Sequence, residues 1–146
     1  MIKSILVPVD GSESSKKALE FACDLALKYD AKVHLLHVVQ HVEGQHVIVM
    51  GAAAAMIKPD HDAIIEQGKS IIKAAEEIAQ NLGVNLVSED IEEGDPSTKI
   101  VECAKVCGAD MIVLGSRGLS DFAGLLLGSV SHKVTHSAPC NCLTIH

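Results

Sequence analysis

Short β-branched runs alternate with longer stretches of helical periodicity along this sequence, and that alternation leaves few folds open. The run IKSILVPV is followed by DGSESSKKALEFACDLALKYD, in which Ala18, Leu19, Ala22, Leu25, Ala26 and Tyr29 recur at helical spacing. Ser12 has the chemistry of an N-cap, and Glu13 suits the positive end of a helix that starts there. KVHLLHVV reads as a second strand, and the stretch from Asp60 to Leu82 as a long helix stopped by Gly83. VNLVSEDIEEG reads as a third strand with a solvated acidic edge. The next helix, in DPSTKIVECAKVCG, has the sharpest bounds: Asp95 as N-cap, Pro96 at its first position, Gly108 past its end. DMIVLGS is a fourth strand, SVSHKVTHSA a short helix, and CNCLTIH a last strand. From Gln40 to Pro59 no such period holds, and the segment reads as irregular. Within it, VIVMGAAAAMI is open between a flap over a ligand, an interface patch and a core helix.

Strands alternating with helices imply a parallel sheet covered on both faces and joined by right-handed crossovers. Near-continuous apolar runs such as ILVPV and MIVLG suit strands buried on both sides. A chain of 146 residues without repeat or linker is expected to form one domain, 1–146. Its residues are 48% hydrophobic, yet it has no Trp, one Tyr and two Phe, so the core must be aliphatic. In such folds ligands sit beyond the carboxyl ends of the strands, where the winding reverses. If the first and fourth strands are neighbours there, VPVDGS and VLGSRG face one crevice.

A net charge of −7, without a basic stripe or a row of aromatics, argues against nucleic acid as a partner. The opening MIKSILVPVDGS moves straight into a strand-like run, so no cleavable leader is expected, and no apolar run is long enough to span a bilayer. Five cysteines, an odd number without framework spacing, fit a reducing cytoplasm better than a disulfide scaffold.

After the fourth strand comes GSRGLSDFAGLLLGS, with four glycines in fifteen residues and no lysine. Its spacing is G-x2-G-x9-G-S: Gly115, Gly118, Gly128, Ser129. Glycines let backbone N–H groups converge on a phosphate without a Cβ in the way, and a helix starting at Ser129 would add its own free amides. Without the lysine it is not a Walker loop, and D-G-S-E-S-S after the first strand is not a dinucleotide fingerprint. On physical grounds alone the segment is equally readable as a loop followed by a helix start.

Three features together resemble the universal stress protein family: ILVPVDGS at the start, the G-x2-G-x9-G-S segment, and a last strand opened by APC. The likeness covers nearly the whole chain, and the glycine spacing is that of the family's ATP-binding branch. It implies a five-stranded, doubly wound, Rossmann-like α/β domain with strand order 3-2-1-4-5, paired as a homodimer through the C-terminal strand. It also implies a site. Asp10 would hold the adenine or ribose side, and Pro8, Val9 and Val38 would line the base pocket. Gly115, Ser116, Arg117 and Gly118 would wrap the ribose and first phosphates, with Gly128, Ser129 and Val130 on the later ones. The ligand would be ATP (or AMP or ADP), with a divalent cation, Mg²⁺ or Mn²⁺, held through the phosphates; Asp10, and remotely Asp121, are the nearby carboxylates. Nothing transfers onto Gln40 to Pro59, where the family varies most.

Other residue pairs offer rival chemistry. Cys103 and Cys107 lie one helical turn apart, and Cys140 and Cys142 share a strand face, but neither pair has C-x2-C spacing; core packing is the better reading. His132 and His136 at i and i+4 lack the Glu of H-E-x-x-H. His34 and His37 have opposite parity on their strand and cannot serve one site. No nucleophile elbow occurs. The function that the resemblance implies is an ATP-binding, nucleotide-dependent switch in stress response, cytoplasmic, with an unspecified regulatory partner and at most slow hydrolysis. The alternatives are a dimeric interaction module with an empty pocket, and a thiol or metal sensor.

Overall fold

The computed structural model describes residues 1–40, 46–50, 53–57, 61–118 and 128–146. Along the chain come β1 (Ser4–Pro8), α1 (Glu13–Tyr29), β2 (Lys32–Val39), β3 (His46–Met50), β4 (Ala53–Ile57) and α2 (His61–Asn81). There follow β5 (Leu86–Glu93), α3 (Pro96–Val106), β6 (Met111–Gly115), α4 (Ser129–Ser137) and β7 (Asn141–Ile145). The main sheet has the order β5-β2-β1-β6-β7, and every neighbouring pair is parallel. Setting aside the separate β3–β4 pair, this is the expected doubly wound order 3-2-1-4-5.

Period-two alternation along the strands divides the core in two. Ile5 and Val7 of β1, Val33 and Leu35 of β2 and Val113 of β6 face α1 and α2, meeting Leu19, Ala22, Ile72 and Ala75. Leu6, Leu36, Ile112 and Leu114 face the other way, onto Ile100 and Ala104 of α3 and Val134 of α4. Apart from Cys23, the buried residues of both clusters are aliphatic among the described residues, as the composition requires. The small alanines on α1, α2 and α3 let the helices settle close to the sheet. No described helix is long and apolar enough to cross a membrane.

The helix ends follow the local chemistry. The Ser12 hydroxyl accepts the Ser15 amide at 3.2 Å, and Asp95 Oδ1 accepts the Thr98 amide at 2.9 Å. Past α3, Gly108 takes φ +60°, a left-handed turn that glycine makes without strain. The Ser97 hydroxyl, followed by the Thr98 amide and hydroxyl, holds the Asp95 carboxyl down to about 2 from an ordinary 3.8. Because this folded value is depressed, the cap contributes fully above 3.8, and its contribution is lost as pH falls through about 2. Asp95→Ala is expected to cost about 1 kcal/mol at neutral pH. Urea titrations of both proteins should show that difference closing as the carboxyl protonates.

The irregular segment expected from Gln40 to Pro59 instead contains an antiparallel pair running from His46↔Ile57 to Met50↔Ala53. The Val-Ile-Val run pairs locally with an alanine-rich partner, and alanine is a weak strand former. That half of the ribbon therefore gave no strand signal.

Candidate functional site

A cavity of about 480 Å³ lies beyond the carboxyl ends of β1, β2 and β6. Here the winding reverses: β1 pairs with β2 on one side and with β6 on the other. Pro8, Val9 and Asp10 line it from β1, and Val38 from β2. Gly115, Arg117 and Gly118 line it after β6, and Ser129 and Val130 from the first turn of α4. Nine residues singled out in the sequence thus share one wall system. Ser116 and Gly128 are not among its lining residues. Asp121 lies outside the described residues.

Each wall is held by identifiable bonds. The Val9 amide donates to the Leu36 carbonyl at 2.8 Å, and His37 Nδ1 lies 2.7 Å from the Val9 carbonyl, fixing the ends of β1 and β2 together. Asp10 Oδ1 accepts the Ser12 amide at 2.9 Å, so this carboxylate also shapes the turn into α1. Gly11 completes that turn at φ +83°.

The glycine segment is bound on three sides. The Ser116 amide donates to the Ile145 carbonyl at 2.7 Å, and the Ser116 carbonyl accepts the Gly128 amide at 2.6 Å. Ser131 Oγ donates to the Gly115 carbonyl at 2.7 Å, and Ser14 Oγ donates to the Arg117 carbonyl. The two ends of G-x2-G-x9-G-S therefore meet directly. Ser116, only 1% exposed, acts as the junction between them.

Gly115 is a glycine for a reason other than ligand access. A Cβ there would lie 2.5 Å from Ser14 Oγ and 2.8 Å from both the Ser14 carbonyl carbon and the Ser15 amide nitrogen. The start of α1 occupies that space. By contrast, α4 begins at Gly128 with no side-chain cap, unlike α1 and α3. Its first-turn amides lack intrahelical partners, and the helix dipole makes that end attractive to an anion.

Several lining residues had no motif to mark them: His37 and Gln40 near the end of β2, Ile64, Gln67 and Ile71 of α2, and Ile100 of α3. One signal did exist. Gly68 interrupts the middle of α2, where glycine costs about 1 kcal/mol relative to alanine. A Cβ at Gly68 would sit 3.0 Å from His37 Cδ2 and 3.3 Å from Val39 Cγ2, so the glycine brings α2 down onto β2. That approach carries Gln67 to the cavity.

The rival residues lie elsewhere. Cys103, Cys107, Cys140 and Cys142 are half-buried against the second core cluster. Burial, with Cys107 nearby, pushes the Cys103 thiol up to about 12, and burial with Cys140 nearby pushes Cys142 to about 11. Such thiols stay protonated at neutral pH and are poor nucleophiles. His132 and His136 are exposed on α4, and no group of three or more metal-ligating side chains occurs among the described residues. His34 is 8% exposed and pairs with Ser88 Oγ at 2.9 Å, while His37 lines the cavity; the two serve different places.

Known proteins are similar to this chain in sequence and fold. The chain is 35% identical over 154 residues to universal stress protein YxiE of Bacillus subtilis, with 99% of each chain covered. Its fold is similar to universal stress protein UspA from Lactobacillus plantarum, with a TM-score of 0.73, 28% identity, and 99% and 98% of the two chains covered. It is also similar to a universal stress protein in complex with cAMP, with a TM-score of 0.74, 26% identity, and 99% and 97% covered. The family model of universal stress proteins matches residues 1–146. Sheet order, winding and full-length sequence similarity agree, and the chain belongs to the universal stress protein family.

Proposed function

We propose that this single-domain protein binds an adenine nucleotide in the cavity, ATP in its full form, and acts as a nucleotide-dependent switch in stress response. The observation that carries this reading is the chemistry of the cavity lining. Val9, Val38, Ile64, Ile71 and Ile100 supply apolar surface suited to a flat base. Arg117, Gly118 and the uncapped first turn of α4 supply a cation, a glycine and helix-end amides suited to phosphates. A volume of about 480 Å³ is in the range of small-molecule sites. The similar protein solved with cAMP supports an adenine ligand.

The donor set also bears on the cation and on turnover. Among the described lining residues Asp10 is the one carboxylate, and none is a lysine. A bound Mg²⁺ or Mn²⁺ would be held mainly through phosphate oxygens, where it would neutralise their charge. With no acid pair and no lysine among the described lining residues to stabilise a transferring phosphoryl group, hydrolysis is slow at most. The chain's own residues hold the ligand: Asp10 and the ends of β1 and β2 orient the base and ribose, and α4 holds the phosphate tail. β7 is bonded to β6 on one side and lies at the sheet edge, which suits pairing with a second copy. The free thiols suit a reducing cytoplasm.

The test is direct. Protein purified without added nucleotide is denatured, and the released small molecules are separated by anion-exchange chromatography. An adenine nucleotide is expected in the supernatant, and chelation before purification should lower the triphosphate fraction. An empty supernatant, together with no uptake of added ATP, contradicts the reading. Sedimentation velocity checks the dimer, which a strictly monomeric boundary would exclude.

A further inference from the structure

The Ser116 backbone is bonded through both its amide and its carbonyl to elements far apart in the sequence. Its amide donates to the Ile145 carbonyl at 2.7 Å, the last rung between β6 and β7, and its carbonyl accepts the Gly128 amide at 2.6 Å, at the N-cap of α4. Ser131, in the first turn of α4, ties back to the Gly115 carbonyl at 2.7 Å. A continuous path of hydrogen bonds therefore runs from the end of β7, through Ser116, to the helix end that lines the cavity. We propose that Ser116 and the Ile145 carbonyl are positioning residues for the phosphate end of the site, so that seating of β7 and grip on the phosphates are thermodynamically coupled. This rests on the nucleotide reading given above.

The physical grounds are the location of β7 and the direction of the bonds. β7 is an edge strand, and Leu143 and Ile145 are only partly buried against the first core cluster. Its end detaches more cheaply than the middle of β1 or β2, where Ile5, Leu6, Val7, Val33, Leu35 and Leu36 are fully buried. When it detaches, the Ser116 amide loses its acceptor, and the segment that sets the start of α4 is released on one side. Coupling of this kind is reciprocal: phosphate binding must stabilise the end of β7 by the factor by which β7 strengthens binding. A partner strand along the open edge of β7 would then raise nucleotide affinity without touching the ligand.

The experiment compares ATP and adenosine binding by calorimetry in four proteins: the full chain, a chain lacking His146, a chain lacking Ile145 and His146, and Ile145→Ala. Losing the acceptor of the buried Ser116 amide should weaken ATP about tenfold or more. Adenosine, which has no phosphates, should be held nearly as before. Deleting His146 alone leaves an acceptor at Ile145, and Ile145→Ala keeps the carbonyl, so both should lose less. Where the shortened chain fails to fold, hydrogen exchange on the full chain decides. ATP should slow exchange of the Ser116 amide and of the β7 amides, and adenosine should do so far less. Equal ATP affinity in the shortened and full chains, parallel loss of both ligands, or unchanged β7 exchange would overturn the coupling. If the full chain binds adenosine but not ATP, the phosphate site fails and the coupling with it. If it binds neither, the nucleotide reading itself is wrong.

Discussion

Gly115→Ala is expected to destabilise the protein by about 2–3 kcal/mol, in the upper range for forcing an extra carbon into packed surroundings. The added Cβ would lie 2.5 Å from Ser14 Oγ and 2.8 Å from two backbone atoms of Ser14 and Ser15. A hydroxyl can turn aside, but a helix backbone moves only with the helix. The first turn of α1 must therefore shift away from the end of β6. Ser14 Oγ would then lose the Arg117 carbonyl, and the Asp10–Ser12 turn would be pulled with it. Both sides of the cavity mouth are disturbed by one methyl group. A lowered urea midpoint and weaker nucleotide binding in the same variant would bear this out. An unchanged midpoint would mean that α1 and β6 do not approach as closely as described.

Ser129→Pro is expected to do the opposite: to leave stability unchanged and weaken ATP binding. Ser129 is the first residue of α4, after an N-cap at Gly128 with φ −69° and ψ 160°. Proline is well tolerated at that helix position, and the residue before it already has the extended conformation that proline demands. The substitution deletes one helix-end amide and one hydroxyl, and little else. A hydrogen bond to a charged group contributes about 1.5–3 kcal/mol, so ATP affinity should fall roughly 10- to 100-fold. Adenosine affinity should hardly change. Calorimetry with both ligands, beside a thermal melt, separates the outcomes. Equal affinity for ATP before and after would remove α4 from the phosphate site.

Much of the fold was legible because its signals are local. Asp95, Pro96 and Gly108 bound α3 by chemistry within a few residues, and Ser12 does the same for α1. The near-continuous apolar runs ILVPV and MIVLG mark strands buried on both sides, and the two core clusters take alternate residues of each run. Strand order was different: no local signal places β6 beside β1, and only the family resemblance supplied it. The β3–β4 pair was missed because its second strand is mostly alanine.

The site was legible where it is backbone and illegible where it depends on packing. Glycine spacing marked Gly115, Gly118 and Gly128, but not that Gly115 makes room for α1 or that the Gly128 amide is taken by Ser116. Those facts arise from residues about a hundred positions away, or from a junction that exists only in the folded chain. Gln67 and His37 reached the cavity through the approach of α2 to β2, which Gly68 hinted at without naming its partner.

The central claim is that the cavity takes an amphiphilic ligand, with the base against the β1, β2, α2 and α3 wall and phosphates on α4. Isothermal calorimetry with Mg²⁺, titrating ATP, ADP, AMP and adenosine into one preparation freed of bound nucleotide, tests it most directly. The expected result is one site per chain, with affinity rising as phosphates are added and GTP bound more weakly than ATP. Saturable ATP binding no tighter than adenosine, or no binding of any of them up to about 1 mM, where binding is worth only some 4 kcal/mol, would contradict it.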